Sequence, residues 1–358
     1  MRGDDFQGWR TVRGAARATA AGVGVSAVTF AAVVGLIMVQ ADRARRVIPL
    51  ATAPPPRGDG LYGARFPGKP ITMVIIGDSS AAGYGVHRPR ETPGALLATG
   101  VSRRLRRPVR LYRCAVVGAL SAALPQQVDV ALEREPDLAV ILIGGNDVTH
   151  RIPVPVAVRH LVDAVRRLRA AGAQVVVGTC PDLGAIQPIQ QPLRWLARRW
   201  SRQLAAAQTV AVVEAGGWAV SLGDLLGPRF AAEPTRMFAA DRFHPSAEGY
   251  AVAVWAMLPT VLAALGAAER REPLAAGEGV RSLPQAAQEA AKHAGTEVSG
   301  ASVDGRERGP LGRWAQLRRR PAAWRAQTPA RRWLHTLRRD AAPTPALPLN
   351  GSTMEEPA

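Results

Sequence analysis

The sequence predicts a three-layer α/β/α domain on a parallel sheet, flanked by two ends of different character. Three observations lead there. Between Pro70 and Gly266, five short apolar runs alternate with stretches of helical spacing, the pattern of a sheet with helices on both faces. The runs are nearly continuous rather than alternating with polar residues, as strands buried on both faces are. Clusters rich in glycine and carrying Ser, Asn, Asp and His follow several of these runs, at the edge where such sheets bind ligands.

The elements follow in order. The expected strands are Ile71–Ile76, Val109–Val116, Leu138–Ile143, Gln174–Thr179 and Thr209–Val213. Helices are expected at Leu96–Leu105, Ser121–Leu132, Val156–Ala171 and Leu193–Ala206, and a last apolar helix at Ser246–Leu265. In Val156–Ala171 the residues Val158, Leu161, Val162, Val165 and Leu168 share one face and arginines take the other, an amphipathic helix.

The ends set the domain limits. With 358 residues, 47% apolar, the chain has material for one core domain of roughly 200 residues, placed at 70–268. Residues 1–17 form a basic segment. Residues 18–40, from Ala18 to Gln40, contain no charge and match the about 20 residues a helix needs to cross a bilayer. A single-pass anchor, a cleaved signal peptide with Val39-Gln40-Ala41 near its cleavage site, and a buried core helix are the three readings, the anchor being favoured. Arg10, Arg13 and Arg17 precede the run and Arg43, Arg45 and Arg46 follow it, so charge asymmetry sets no orientation. An anchor ahead of a large domain points to an extracytoplasmic catalytic domain, and cleavage would make it secreted. Residues 41–69, with Pro54-Pro55-Pro56, read as a spacer. Residues 269–358 are rich in Ala, Pro, Gly and charge and read as a mostly disordered tail.

The formal charge of +18 comes almost entirely from arginine. Residues 306–339 hold eleven arginines with Trp314, Trp324 and Trp333 between them. Such a segment suits an anionic lipid surface or nucleic acid, or stands solvated without a partner. The hydrophobic run elsewhere in the chain favours lipid, and no nucleic-acid partner is expected. Cys114 and Cys180 match no zinc spacing and make no disulfide framework, and no metal or organic cofactor is implied.

The chemistry lies in four blocks. The first expected strand runs into Gly77-Asp78-Ser79-Ser80, then Ala81-Ala82-Gly83-Tyr84-Gly85, which puts a serine at the ligand edge with glycines that let a substrate approach the backbone. The lipase elbow G-x-S-x-G is absent. Gly118 follows the second strand, and Gly144-Gly145-Asn146-Asp147 follows the third. Asp241-Arg242-Phe243-His244-Pro245 precedes the last helix, with Pro245 suited to its first turn. A carboxylate three residues before a histidine can fold back onto one ring nitrogen and leave the other to take a proton from a serine. Asp147 stands at the same spacing from His150, so spacing alone leaves two pairs open; His87 has no such carboxylate.

The blocks IGDSSAAGYGV, VVGALS, IGGND and DRFHPSAEGY, in that order, resemble the SGNH hydrolases, the GDSL-type esterases and lipases, over residues 70–266 of a chain of bacterial composition. The resemblance implies a flavodoxin-like fold with a five-stranded parallel sheet. It implies Ser79 as nucleophile, His244 as base and Asp241 as its orienting partner. Ser79 and Gly118, through their backbone N–H groups, and the Asn146 side chain would make the oxyanion hole. Family order places the pair just before the last helix and so favours His244 over His150. One departure stands out: the family often carries an Asn a few residues before the block-two glycine, and this chain has Tyr112-Arg113-Cys114-Ala115-Val116-Val117.

The expected function is a serine ester hydrolase, a carboxylesterase or lysophospholipase, acting on a small-molecule or lipid ester. An acyltransferase using the same triad is one alternative, and a non-catalytic adaptor binding membrane or nucleic acid through the basic tail is another. With the family strand order 2-1-3-4-5, the two cysteines lie about 14 Å apart at the usual strand spacing, beyond disulfide reach.

Overall fold

The computed structural model describes residues 30–44, 46, 54–186, 188–223, 230, 232–267, 279–293 and 295–319. Helix α1 covers residues 30–44. Then come β1 (Gly60–Tyr62), β2 (Ile71–Gly77), α2 (Ser79–Ala82), α3 (Pro93–Leu105), β3 (Val109–Arg113), α4 (Leu124–Leu132), β4 (Leu138–Leu142), α5 (Gly145–Thr149), α6 (Val154–Ala170), β5 (Gln174–Gly178), α7 (Leu193–Glu214) and β6 (Trp218–Val220). The chain continues with α8 (Pro234–Met237), α9 (Ala247–Ala264), β7 (Gly279–Ser282), α10 (Leu283–Ala290), β8 (Glu297–Gly300), β9 (Arg308–Gly309) and β10 (Gly312–Arg318).

One sheet runs in the order β1-β3-β2-β4-β5-β6-β8-β10-β7, with β9 paired to β10. From β3 to β6 neighbouring strands are parallel; β1, β8, β10 and β7 join antiparallel. The sheet is therefore mixed and ten-stranded, a correction to the expected five-stranded parallel sheet.

Strand periodicity divides the core between the two helical layers. Along β2, Met73 and Ile75 point into one layer with Leu96, Leu97 and α9, while Val74 and Ile76 point into the other with Val128, Leu161 and Val165. The same alternation splits Leu138, Val140 and Leu142 from Ala139 and Ile141 in β4. Successive strand side chains face opposite ways, so a run apolar at every position is needed where both faces are covered. In α6 the buried Ala157, Leu161, Ala164, Val165 and Leu168 follow helical spacing.

Four expectations need correction. Thr209–Val213 is the C-terminal part of α7, not a strand: Leu204, Ala205, Gln208, Thr209, Val212 and Val213 are buried at helical spacing. A five-residue apolar run cannot by itself be told from a buried helix turn. The fifth parallel strand is Trp218–Val220, after the left-handed Gly216. The expected spacer contains β1, whose Tyr62 is buried against β3. The expected disordered tail contains β7, α10, β8, β9 and β10, with Leu283, Val298, Ala315 and Leu317 in the core; residues 320–358 lie outside the described residues. Pro245 precedes Ser246, which caps α9, rather than occupying that helix's first turn.

Of the apolar run 18–40, residues 30–40 fall in α1 and residues 18–29 lie outside the described residues. Among the described residues, one helix is long and apolar enough to cross a membrane, Ala247–Ala264; 67% of it is buried, as befits the core helix it is. Cys114 and Cys180 are both free, as their strand separation requires.

Candidate active site

The C-terminal end of β2 builds the first part of the site. Gly77 has φ 138°, and a Cβ there would meet the Leu142 carbonyl oxygen at 1.8 Å, so only glycine fits between the strands at this bend. The Gln127 side chain of α4 accepts from the Gly77 N–H at 2.7 Å and donates to its carbonyl at 3.0 Å, pinning the bend. Asp78 caps α2 by accepting from the Ser80 N–H at 2.8 Å. Ser79, the first residue of that single turn, is thereby fixed with its side chain at the sheet edge.

The second part comes from the loop before α9. Asp241 Oδ1 accepts from the backbone N–H groups of Phe243 and His244, at 2.9 and 3.0 Å, and Oδ2 lies 2.6 Å from His244 Nδ1. His244 Nε2 lies 2.8 Å from Ser79 Oγ. The imidazole is held between the rings of Tyr84 and Phe243, centroids 4.6 and 4.8 Å away. Gly85, at φ 99°, brings the glycine-rich loop onto the His244 loop, where a Cβ would meet the Pro245 carbonyl oxygen at 2.8 Å. The Tyr250 hydroxyl donates to the Tyr84 carbonyl at 2.7 Å and ties α9 to the same loop.

These contacts fix the tautomer. Burial alone would raise the Asp241 carboxyl, but hydrogen bonds from the His244 ring and from the Phe243 and His244 amides outweigh it and hold it below the ordinary carboxylate value. An ionised carboxylate only accepts, so Nδ1 carries the proton and Nε2 is left to accept from the Ser79 hydroxyl. Asp78 behaves oppositely: its burial pushes the carboxyl up to about 6.

Two loops form the third part. Gly118 takes φ 79°, and a Cβ there would meet nothing within 4 Å, so backbone conformation rather than space calls for glycine. The Asn146 side-chain amide donates to the Ala119 carbonyl at 3.0 Å, which uses one of its two N–H groups. Asp147 accepts from the Ser121 N–H at 3.0 Å and from its hydroxyl at 2.7 Å. Both contacts fasten the Gly118–Ser121 loop to α5 in a chain that lacks the expected Asn before Gly118.

The competing histidines stand apart. His150 is exposed, with Nδ1 on the Asn146 carbonyl oxygen and the Thr149 hydroxyl, while Asp147 faces Ser121; the two residues do not pair. His87 is exposed as well. Sequence reasoning gave no role to Gln127, Tyr84 or Tyr250. Gln127 carries a faint signal, a polar residue on the otherwise apolar buried face of its helix; the other two carry none before the loops are folded.

Ser79 and His244 open onto a cleft. Its wall includes Asn146 but not Gly118, and is mostly apolar, with Leu97, Leu142, Leu222 and Met257 lining its depth. Of the loops expected to shape it, Asp182–Pro192 contributes Leu183 and Ile186; in Gly223–Phe238, residues 224–229 and 231 lie outside the described residues. Among the described residues no three His, Cys, Asp or Glu side chains are grouped to hold a metal ion.

Residues 75–252 match the GDSL-like lipase/acylhydrolase family. The chain is 45% identical over 251 residues to the GDSL-like esterase Rv1075c of Mycobacterium tuberculosis, a match covering 66% of this chain and 79% of that protein. Solved structures similar to it include TesA, at 23% identity and TM-score 0.40 over 54% of this chain and 97% of that one. Another is a catalytic mutant of Axe2, an acetylxylan esterase of Geobacillus stearothermophilus, at 17% identity and TM-score 0.42 over 58% and 99%.

Proposed function

The chain belongs to the GDSL-like lipase/acylhydrolase family and is an ester-hydrolysing enzyme, and on that premise we propose that it works through a Ser79–His244–Asp241 triad and a covalent acyl-enzyme. The observation that carries this reading is the position of His244, 2.8 Å from Ser79 Oγ and 2.6 Å from Asp241 Oδ2.

The Ser79 oxygen attacks the ester carbonyl carbon while His244 Nε2 takes its proton. The carbonyl electron pair moves onto oxygen, and Asp241 stabilises the imidazolium. The oxyanion is received by the backbone N–H groups of Ser79 and Gly118 and by the second N–H of the Asn146 amide. The tetrahedral intermediate collapses, the carbon–oxygen bond to the alcohol breaks, and His244 returns the proton to the departing alcohol. Water then attacks the acyl-enzyme with His244 again as base, releasing the carboxylic acid and restoring Ser79. A transferase would differ only in the last acceptor, an alcohol in place of water.

The substrate is proposed to be a small-molecule or lipid ester whose acyl part occupies the apolar cleft. Residues 18–40 are proposed to anchor the chain, with the catalytic domain outside the cytoplasm. The uncharged run supports this, as do the apolar side chains of Phe30, Leu36, Met38 and Val39, exposed along α1. The test is hydrolysis of p-nitrophenyl esters of increasing chain length by the full chain in detergent, beside Ser79→Ala. Loss of turnover and of fluorophosphonate labelling in the variant is the expected result; unchanged turnover would remove Ser79 from the mechanism.

A further inference from the structure

Helix α1 touches the domain along a narrow seam. Val34, Ile37, Gln40, Ala41 and Ala44 are at least half-buried, at helical spacing, while Phe30, Val33, Leu36, Met38 and Val39 are exposed. The Gln40 side chain spans the seam, donating to the Gln191 carbonyl at 2.5 Å and accepting from the Leu193 N–H at 3.2 Å. Ile37, Ala41 and Ala44 pack into an apolar cluster with Leu183, Ile186, Leu193 and Phe243. Leu183, Ile186 and Phe243 also wall the catalytic cleft, and Phe243 packs edge-on against the His244 ring. The base of α1 is thus one layer of side chains from the reacting groups.

From Phe30 to Val39 the face of α1 away from the seam is apolar surface that no described residue covers. Contiguous apolar surface of this kind marks an interaction site. In sequence the uncharged run continues back to Ala18, which gives the length a bilayer requires. Next to the seam, Trp195 on the first turn of α7 is exposed, with the Arg199 guanidinium 5.8 Å over its ring, and Arg43, Arg46 and Arg198 are exposed nearby in sequence. Tryptophan and arginine at the end of an apolar helix suit the headgroup region.

We propose that the exposed face of α1 lies in a lipid bilayer and that the seam at Ile37 and Gln40 holds the mouth of the cleft at the membrane surface, so that the enzyme draws its ester from the lipid phase. This rests on the ester-hydrolase reading above and adds the source and class of substrate: an ester with an acyl chain long enough to partition into lipid. The chain passes from membrane to water at the cleft, which shortens the path of such a substrate to Ser79.

The experiment uses the full chain reconstituted in vesicles of phosphatidylcholine and phosphatidylglycerol. Two substrates are compared, p-nitrophenyl butyrate in the water phase and p-nitrophenyl palmitate dissolved in the vesicles. The double variant Ile37→Ala, Gln40→Ala loosens the seam and leaves the run uncharged. Its hydrolysis of the butyrate is expected to stay within about 2-fold of wild type, which also reports the fold. Its hydrolysis of the palmitate is expected to fall about 10-fold, because an unheld domain loses the local substrate concentration that fixed orientation provides. Equal effects on the two substrates would overturn the proposal, as would a stable dimer joined through α1 whose palmitate turnover ignores the seam. Absence of turnover on both substrates by the wild type, with no fluorophosphonate labelling, would instead overturn the hydrolase reading itself.

Discussion

Asp147 accepts from both donors of Ser121, from its N–H at 3.0 and 3.3 Å on the two carboxylate oxygens and from its hydroxyl at 2.7 Å, although 26 residues separate them. Both are buried. The pair joins the loop that carries Gly118 to the helix that carries Asn146, so the two proposed oxyanion donors are set relative to each other by one carboxylate. Asp147→Ala leaves the serine N–H and hydroxyl unsatisfied and is expected to cost about 1–3 kcal/mol in stability. It is also expected to lower kcat by about 10- to 100-fold through displaced donors, less than outright loss of a donor. Steady-state kinetics with a thermal melt checks this. A kcat drop that tracks unfolding, or unchanged kinetics in a folded protein, would deny the loop this positioning role.

Asp241→Asn separates orientation from charge. The amide keeps an oxygen that can accept from the Phe243 and His244 N–H groups, but its nitrogen can donate to Nδ1 and so favours the wrong tautomer of His244. A fall in kcat of about 10⁴-fold is expected with little change in melting temperature. The deficit should lessen at high pH if hydroxide replaces His244 in deprotonating the serine. A reduction below about 10-fold would show that Asp241 is not the residue that orients the base.

Asp78 makes the protein's stability depend on pH in a definite direction. Its folded carboxyl is raised by burial to about 6, above its unfolded value of 3.8. Between those two values the folded state binds more protons than the unfolded, so stability falls as pH rises through that window. At neutral pH the cost is about 3 kcal/mol at 1.36 kcal/mol per pKa unit. Asp78→Asn keeps an oxygen for the Ser80 N–H and removes the charge. It is expected to melt at a higher temperature than wild type at pH 7, with the gain vanishing below pH 4. Parallel melting curves at the two pH values read it out; a gain that is constant with pH would have another cause. Asp241 runs the other way: its lowered carboxyl stabilises the fold above the unfolded value, and that contribution is lost as pH falls toward its folded one.

The parallel core and the candidate site were legible because their determinants are local and dense. Ile71–Ile76 is apolar at every position but Thr72, as a strand covered on both faces is, and Asp241 lies within a loop's reach of His244. Ser79 and Gly118 sit at glycine-marked turns, where backbone need is written directly as residue type. What was hidden depends on partners distant in sequence. Gln127 is informative only once Gly77 is seen beside it, 50 residues away. Thr209–Val213 resembles a strand because β-branched residues and burial are common to strands and to the inner face of a long helix. The C-terminal strands were unreadable for a different reason: β7 and β8, with sequences GVRS and EVSG, are short and largely small or polar, and in β10 Ala315 and Leu317 are the buried positions among arginines. Two inward residues do not make a period.

That C-terminal unit is structural, and its removal tests the corrected boundary. β8 pairs with β6 at Val298–Ala219 and Glu297–Val220, closing an edge that would otherwise be open. Val298, Ala315 and Leu317 pack with Val212 and Val213 of α7, and Leu283 of α10 lies in the same cluster. Buried Leu and Val side chains contribute about 1.5–3 kcal/mol each, so losing Leu283, Val298 and Leu317 together approaches the 5–15 kcal/mol by which a domain is stable. A chain ending at residue 267 is therefore expected to express as aggregate or as an unstable monomer with an exposed strand edge, whereas a chain ending at residue 319 is expected to keep wild-type melting temperature and esterase activity. Size-exclusion chromatography and thermal melts of the two truncations decide it. A fully active, monomeric chain ending at 267 would show that the parallel strands and their helices hold without the antiparallel extension, and that the sheet's last strands serve something other than stability.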